Sequence, residues 1–218
     1  MFIKQIPTWV VETNAWVVAE GPGSEAIIVD APPEPVAVGE YVASLDLAVV
    51  GILLTHGHID HMGGSGALAR LTGAMTYVHP DDDFLTLHPS EQIRSMFGAA
   101  IPGDFDPPVV RTSLHHGETL DLAGMMLQVR QTPGHTPGHC CFYWEAEGVL
   151  FSGDQLFAGS IGRSDFPYGS FQSLMTSMRT QVMTLDDEVR VLPGHGPETT
   201  IGRERATNPF RSEWMGEG

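Results

Sequence analysis

The segment Thr55-His56-Gly57-His58-Ile59-Asp60-His61 constrains this chain more than any other. It follows the apolar run Ala48 to Leu54, which predicts a buried strand. Three imidazoles and a carboxylate therefore sit on one tight loop at a strand end. His56 and His58 are two apart and can turn toward one point, while Asp60 and His61 can turn toward a second. Imidazole and carboxylate are ligands for Zn²⁺, Fe²⁺ and Mn²⁺. Gly57 and the Gly63-Gly64 pair let the backbone turn sharply around such a site. A lone surface histidine carries no such meaning, but this density after a hydrophobic strand predicts a metal site.

The rest of the chain predicts many strands with a few helices. Residues 9 to 20 read as strand, Gly21-Pro22-Gly23 as a turn, and Ala26 to Asp30 as a strand completing a hairpin. A helix is expected from about Pro35 to Leu45, another over Gly66 to Leu71, and a short strand over Thr76 to His79. Residues 80–108 are the least regular stretch. Helices can start at Asp81-Asp82-Asp83 and at Ser90, Gly103, Pro107 and Pro108 suggest loop, and Met96, Phe97 and Phe105 suggest a lid or satellite core. Thr119 to Thr132 predicts two strands around Ala123-Gly124, followed by strands at Cys140 to Trp144, Val149 to Ser152 and Val189 to Leu192. Phe171 to Leu185 carries apolar residues at helical spacing, and a short helix is expected from Thr200. Two similar halves of strands and helices imply an α+β fold with two sheets packed face to face and helices outside. Residues 1–218 read as a single domain.

Three more strand ends offer ligands: Thr132-Pro133-Gly134-His135, Ser152-Gly153-Asp154 and Pro193-Gly194-His195-Gly196. Each alone is a weak signal, but three together beside the histidine loop make a strong one. Composition narrows the partners. With 27 acidic against 11 basic residues and a formal charge of −16, the chain repels polyanions, so a nucleic-acid substrate is not expected. No stretch is apolar enough to span a membrane, and the N-terminus lacks the pattern of a signal peptide. Cys140 and Cys141 are adjacent, offer no disulfide framework, and read as reduced strand residues of a cytoplasmic protein.

His56-Gly57-His58-Ile59-Asp60-His61, His135, Asp154 and His195 resemble, in order and rough spacing, the metallo-β-lactamase superfamily. The resemblance implies an αββα sandwich of two mixed sheets flanked by helices, with two metal ions at one edge. It further implies that His56, His58 and His135 hold the first ion, that Asp60, His61 and His195 hold the second, and that Asp154 bridges them. Zinc is the leading choice, with iron or manganese also compatible. Thr132 to Gly138, Gly162 to Pro167 and Pro193 to Pro209 look most like short glyoxalase II-type hydrolases, the hydroxyacylglutathione hydrolases. With 23 residues after His195, the helical C-terminal extension of the long forms, which helps them bind glutathione, is not expected here.

Two divalent ions, less Asp60, Asp154 and a bridging hydroxide, leave a net charge of about +1, enough for bound water to deprotonate near neutral pH. Asp60 can accept a hydrogen bond and orient that nucleophile. The metals can also polarise a carbonyl and receive a thiolate, so the expected reaction is hydrolysis of a 2-hydroxyacyl thioester such as S-lactoylglutathione. Arg163, and more weakly Arg203 and Arg205, are candidates to anchor its carboxylates, with Asp165 able to pair with Arg163. Persulfide dioxygenases, with one iron held by two His and one Asp, lactonases and β-lactamases are competing readings on the same scaffold. A purely structural metal site is a third class. His139 is a candidate second layer around a ligand. His79, His88, His115 and His116 read as surface or satellite residues.

Overall fold

The computed structural model describes residues 1–98, 101, 105, 107 and 110–215. Its first sheet comprises β1 (Phe2–Thr8), β2 (Thr13–Ala19), β3 (Glu25–Val29), β4 (Ala48–Leu53), β5 (Met75–Val78) and β6 (Arg111–Ser113), ordered β1-β2-β3-β4-β5-β6. β1, β2 and β3 pair antiparallel, and the remaining neighbours pair parallel. Between them lie α1 (Val36–Ser44), α2 (Ile59–Met62), α3 (Ser65–Thr72), α4 (Asp83–Thr86) and α5 (Pro89–Phe97).

The second sheet is built from β7 (Thr119–Leu122), β8 (Met125–Gln131), β9 (Cys140–Trp144), β10 (Val149–Gly153), β13 (Arg190–Pro193) and β14 (Thr199–Thr200), with order β14-β13-β10-β9-β8-β7. β10 and β13 run parallel and the other pairs antiparallel, so both sheets are mixed. The hairpin β11 (Leu156–Phe157) and β12 (Ser160–Ile161) follows β10. Then come α6 (Phe171–Ser177), α7 (Ile201–Thr207) and α8 (Arg211–Met215).

The layers follow from side-chain parity. Along β2, Trp16 and Val18 point between the sheets, where they meet Phe142, Phe151 and Leu127. Ala15 and Val17 point the other way, into a layer with Val38 and Val42 of α1 and Leu68 of α3. Along β10, Val149 and Phe151 face inward, whereas Leu150 faces Leu174 and Met178 on the outer side. Strands buried on both faces need apolar residues at both parities, which is why they read as continuous hydrophobic runs. The αββα sandwich of two mixed sheets is therefore the observed fold.

Three local expectations are corrected. Trp9-Val10-Val11 is not strand: residues 9–12 turn, with φ of 64° at Trp9 and 53° at Glu12, and the true edge strand is β1. β1 escaped notice because it is half-exposed and carries Lys4, Gln5 and Pro7. The helix expected from Phe171 to Leu185 ends its α-helical part at Ser177 and continues as a π turn over Met178–Val182. His79, read as surface or satellite, is buried, with its Nδ1 accepting the Asp81 N–H at 3.2 Å.

Phe105 packs edge-on to Trp9 with ring centroids 6.1 Å apart, as satellite core. The side chains of Met96 and Phe97, and the residues Gly103 and Pro108, lie outside the described residues. Cys140 and Cys141 are buried free thiols on β9, and burial raises the pKa of both, Cys141 to about 12, so neither is poised as a nucleophile. No helix among the described residues is long and apolar enough to cross a membrane.

Candidate metal centre

Five strand ends deliver their residues to one edge of the sandwich. β4 runs into Thr55–His61, β8 into His135, β10 into Asp154 and β13 into His195, while β3 ends at Asp30. The sheets are laced together here. The Asn14 amide N–H donates to the Gly194 carbonyl at 2.8 Å, and the Asn14 and Trp16 side chains both donate to the Pro193 carbonyl, at 2.9 and 3.1 Å. Gly194 is required by close approach: a Cβ there would lie 2.4 Å from Asp154 Oδ1 and 2.5 Å from His61 Cε1.

The ligand atoms fall into two sets. His56 Nε2, His58 Nδ1 and His135 Nε2 form a triangle with edges of 3.0, 2.8 and 3.2 Å. Asp60 Oδ2, His61 Nε2 and His195 Nε2 form a second, with edges of 3.4, 3.3 and 3.2 Å. Tetrahedral coordination with bonds near 2.0 Å needs ligand atoms roughly 3.3 Å apart, so both triangles have the right size. Asp154 lies between them. Its Oδ2 is 3.5 Å from His135 Nε2 and 3.7 Å from His195 Nε2, and its Oδ1 is 3.3 Å from His61 Nε2. That Oδ1 is buried and accepts no hydrogen bond among the described residues, an arrangement that costs free energy unless a cation fills it.

In every ring, the nitrogen turned away from the cluster has its own partner. His56 Nδ1 meets Thr55 Oγ1 at 3.0 Å, and His58 Nε2 meets the Tyr168 hydroxyl at 2.8 Å. His61 Nδ1 meets Asp30 Oδ2 at 2.8 Å, His135 Nδ1 the Arg163 carbonyl at 2.7 Å, and His195 Nδ1 the Val11 carbonyl at 3.2 Å. Each such partner can accept, so the outer nitrogen carries the proton and the inner one presents its lone pair. Asp30 also accepts from the Thr55 amide and hydroxyl, and it holds φ at 60° to do so, backbone strain of the sort kept at working sites. The cluster fits a divalent metal site.

Electrostatics distinguish the two sets. Burial, reinforced by neighbouring imidazoles, pushes His56 well below the ordinary histidine value and His58 down to about 3, and burial also lowers His135. His58 therefore stays neutral through the mildly acidic range, and burial favours the neutral form of His56 and His135 as well. Burial alone would depress His61 too, but Asp154, Asp60 and Asp30 outweigh it and hold it well above the ordinary value. His195 is likewise raised against its burial, by Asp60 and Asp154. The metal-free protein therefore keeps a proton at His61 near neutral pH, and an ion entering that set must displace it. Binding to the acidic set is expected to release a proton and weaken as pH falls toward 6, while binding to the three-histidine set stays nearly flat over that range. Calorimetric titration in buffers of different ionisation enthalpy measures this, and equal proton release at both steps would contradict it.

The structure thus brings together all seven residues His56, His58, Asp60, His61, His135, Asp154 and His195. Arg163 lies beside the cluster: it lines a groove of about 700 Å³ with Val11, Phe84, Leu85, Phe166 and Tyr168. Its guanidinium stacks 4.8 Å over the Phe166 ring and pairs in bidentate fashion with Asp165 at 2.9 and 3.0 Å, as that pair of residues suggested. Arg203 and Arg205 are not brought there. Arg203 is exposed on α7 and does not line the groove. Arg205 spends its guanidinium on Asp187 and the carbonyls of Met183 and Leu185, so its assignment as a substrate anchor is corrected.

His88, expected to be incidental, lines the groove. His139 is a supporting residue: its Nε2 accepts the Asp154 N–H at 3.0 Å, and its Nδ1 meets Thr132 Oγ1 at 2.8 Å. Thr13, which donates to Asp60 at 3.2 Å, and Tyr168 carried no sequence signal of their own. Asp30 did carry one, since it ends an apolar strand as Asp154 does.

Residues 8–195 match the metallo-beta-lactamase superfamily. The chain belongs to that superfamily. Members are generally metal-dependent hydrolases, and the cluster described above occupies the matched region. The superfamily protein is 41% identical over 215 residues to an uncharacterized protein of Aquifex aeolicus (strain VF5), covering 99% of each chain. It is 35% identical over 210 residues to hydroxyacylglutathione hydrolase GloC of Haemophilus influenzae (strain ATCC 51907 / DSM 11121 / KW20 / Rd), covering 96% of this chain and 98% of that one. Among solved structures, the BLEG-1 B3 metallo-beta-lactamase superposes with a TM-score of 0.89 at 33% identity, covering 97% and 100% of the two chains. TTHA1623 in a di-iron-bound form superposes with a TM-score of 0.83 at 36% identity, covering 95% and 99%.

Proposed function

We propose that this protein is a dinuclear metal-dependent hydrolase that cleaves a 2-hydroxyacyl thioester of the S-lactoylglutathione type. The observation that carries the proposal is the pair of three-ligand triangles with Asp154 between them, beside a groove whose residues Arg163, Phe166 and Tyr168 touch His135 and His58. In this reading His56, His58 and His135 hold one ion, Asp60, His61 and His195 hold the other, and Asp154 bridges. Bound divalent ions, zinc first with iron or manganese as alternatives, supply an acidified water and polarise the substrate carbonyl. The likeness to TTHA1623 in its di-iron form keeps iron among those choices.

The chain's own residues do the rest. Thr13 fixes the Asp60 carboxylate, which accepts a hydrogen bond from the nucleophile and orients it. Val11, Phe84 and Phe166 give the groove apolar walls. Tyr168, whose pKa burial pushes up to about 12, stays a neutral phenol and keeps His58 in the tautomer that ligates through Nδ1. A thiolate leaving group, with a free-thiol pKa of about 8.5, needs little help from an acid. The relative named hydroxyacylglutathione hydrolase supports the thioester. The charge balance of −16 argues against nucleic acid, and the buried reduced cysteines fit a cytoplasmic setting.

Arg163 offers the groove a cation for a substrate carboxylate. Arg163→Ala is expected to raise KM several-fold with a smaller loss in kcat, because the contact is equally strong in ground and transition states. Steady-state kinetics measure it, and an unchanged KM would remove Arg163 from substrate binding. A second reading, β-lactam hydrolysis, is favoured by the likeness to BLEG-1. Metal-replete protein assayed in parallel with S-lactoylglutathione, a β-lactam and glutathione persulfide under oxygen monitoring separates the readings. Thioester cleavage is the expected result. Turnover of either other substrate with an intact thioester would overturn the proposal.

A further inference from the structure

Residues 80–97 had no role assigned by their sequence, yet they reach beneath the metal centre at two points. Asp82 is fully buried, with no arginine or lysine paired to it among the described residues. Its Oδ2 accepts the Gly57 N–H and the Thr136 hydroxyl, each at 2.7 Å, and its Oδ1 accepts the Gly138 N–H at 2.6 Å. Gly57 lies between His56 and His58, and Thr136 follows His135, so one carboxylate ties together the two loops that carry the three-histidine set. The approach is tight: a Cβ on Gly138 would lie 2.8 Å from Asp82 Cγ. Gln92 of α5 completes the hold, donating to the Gly57 carbonyl at 2.8 Å and accepting the Ile59 N–H at 3.1 Å. Both polar groups of the Gly57 backbone are thus gripped by side chains from one segment.

A carboxylate is required for this. All three of its partners donate, and an isosteric amide has only one accepting atom. Asparagine can satisfy Gly57 and Thr136, or Gly138, but not all three donors at once, and its NH₂ would face the remaining N–H or hydroxyl. Burial pushes the Asp82 pKa up to about 6 despite those donors, so the fold keeps this group at a desolvation cost. Among the described residues, the hydrogen bonds of Asp82 reach Gly57, Thr136 and Gly138 and none reaches Asp60, His61 or His195.

We infer that Asp82 is a positioning residue that sets the spacing of His58 and His135 and thereby governs affinity for the ion of the three-histidine set, not the other. This rests on the two-ion reading above. The test uses full-length protein and measures Zn²⁺ affinity by chelator competition, in two backgrounds that each keep one set intact. In His195→Ala protein, Asp82→Asn is expected to weaken Zn²⁺ binding about 10- to 100-fold, the usual effect of losing an outer-layer partner. In His58→Ala protein, the same change is expected to alter binding less than about threefold. Equal losses in the two backgrounds, or none in the first, would overturn the inference.

If Asp82→Asn does not fold, Thr136→Val, which removes only one donor, is expected to show the same selectivity at smaller size, and absence of selectivity there would overturn the inference. A wild-type protein that takes up a single ion would end the two-ion reading. It would leave this inference to be judged by whether Asp82→Asn weakens that ion.

Discussion

Asp154→Asn is expected to lower kcat/KM for S-lactoylglutathione by about three orders of magnitude or more, equivalent to about 4 kcal/mol of transition-state stabilisation. The size follows from position. Among the described residues, Asp154 is the one carboxylate within reach of both triangles, with oxygens at 3.5 Å from His135 and 3.3 Å from His61. An amide keeps the shape but removes the charge and one ligating oxygen, and it turns an NH₂ toward ring nitrogens that must present lone pairs. The carboxyl is held well below its ordinary range, because His61 outweighs the effect of burial, so the wild-type group is ionised at every pH where the enzyme would work. The fold should tolerate the change, since the backbone N–H of residue 154 still meets His139. A loss of less than tenfold in protein with wild-type metal content would exclude Asp154 from the reaction centre.

Removal of the metal ions is the second large effect. Stripping the protein with a chelator is expected to abolish hydrolysis and to lower Tm by about 10 °C or more. An ion present at 1,000 times its Kd stabilises the native state by about 4 kcal/mol, and a chain of this length shifts by roughly 2–4 °C per kcal/mol. The ligands come from four separate strand ends, those of β4, β8, β10 and β13, so losing the ions loosens this edge of the sandwich. Scanning calorimetry before and after chelation, with recovery on adding back Zn²⁺, provides the check. A shift under about 3 °C would mean that the cluster does not hold ions tightly.

The fold and the cluster were legible in this sequence for one shared reason. A strand buried on both faces reads as a continuous apolar run, and each run here stops at the edge where its ligand begins. Leu54 precedes the histidine loop, Ser152 precedes Asp154, and Leu192 precedes His195. Edge strand β1 was hidden because half-exposed residues carry no such run. The supporting groups were hidden for a different reason. Asp82 and Gln92 act through backbone atoms of Gly57, Ile59 and Gly138, and Tyr168 through the far nitrogen of His58, so no local spacing marks them. Arg205 shows the converse error. Its place near His195 in the sequence suggested substrate binding, but α7 turns it toward Asp187 and the carbonyls of Met183 and Leu185.

Anomalous diffraction from crystals of the zinc-loaded protein puts the two-ion centre to the most direct test. The account predicts two peaks per chain, one about 2.0–2.2 Å from His56 Nε2, His58 Nδ1 and His135 Nε2, the other equally close to Asp60 Oδ2, His61 Nε2 and His195 Nε2, with Asp154 between them. A single peak, or ions bound away from these atoms, would contradict it.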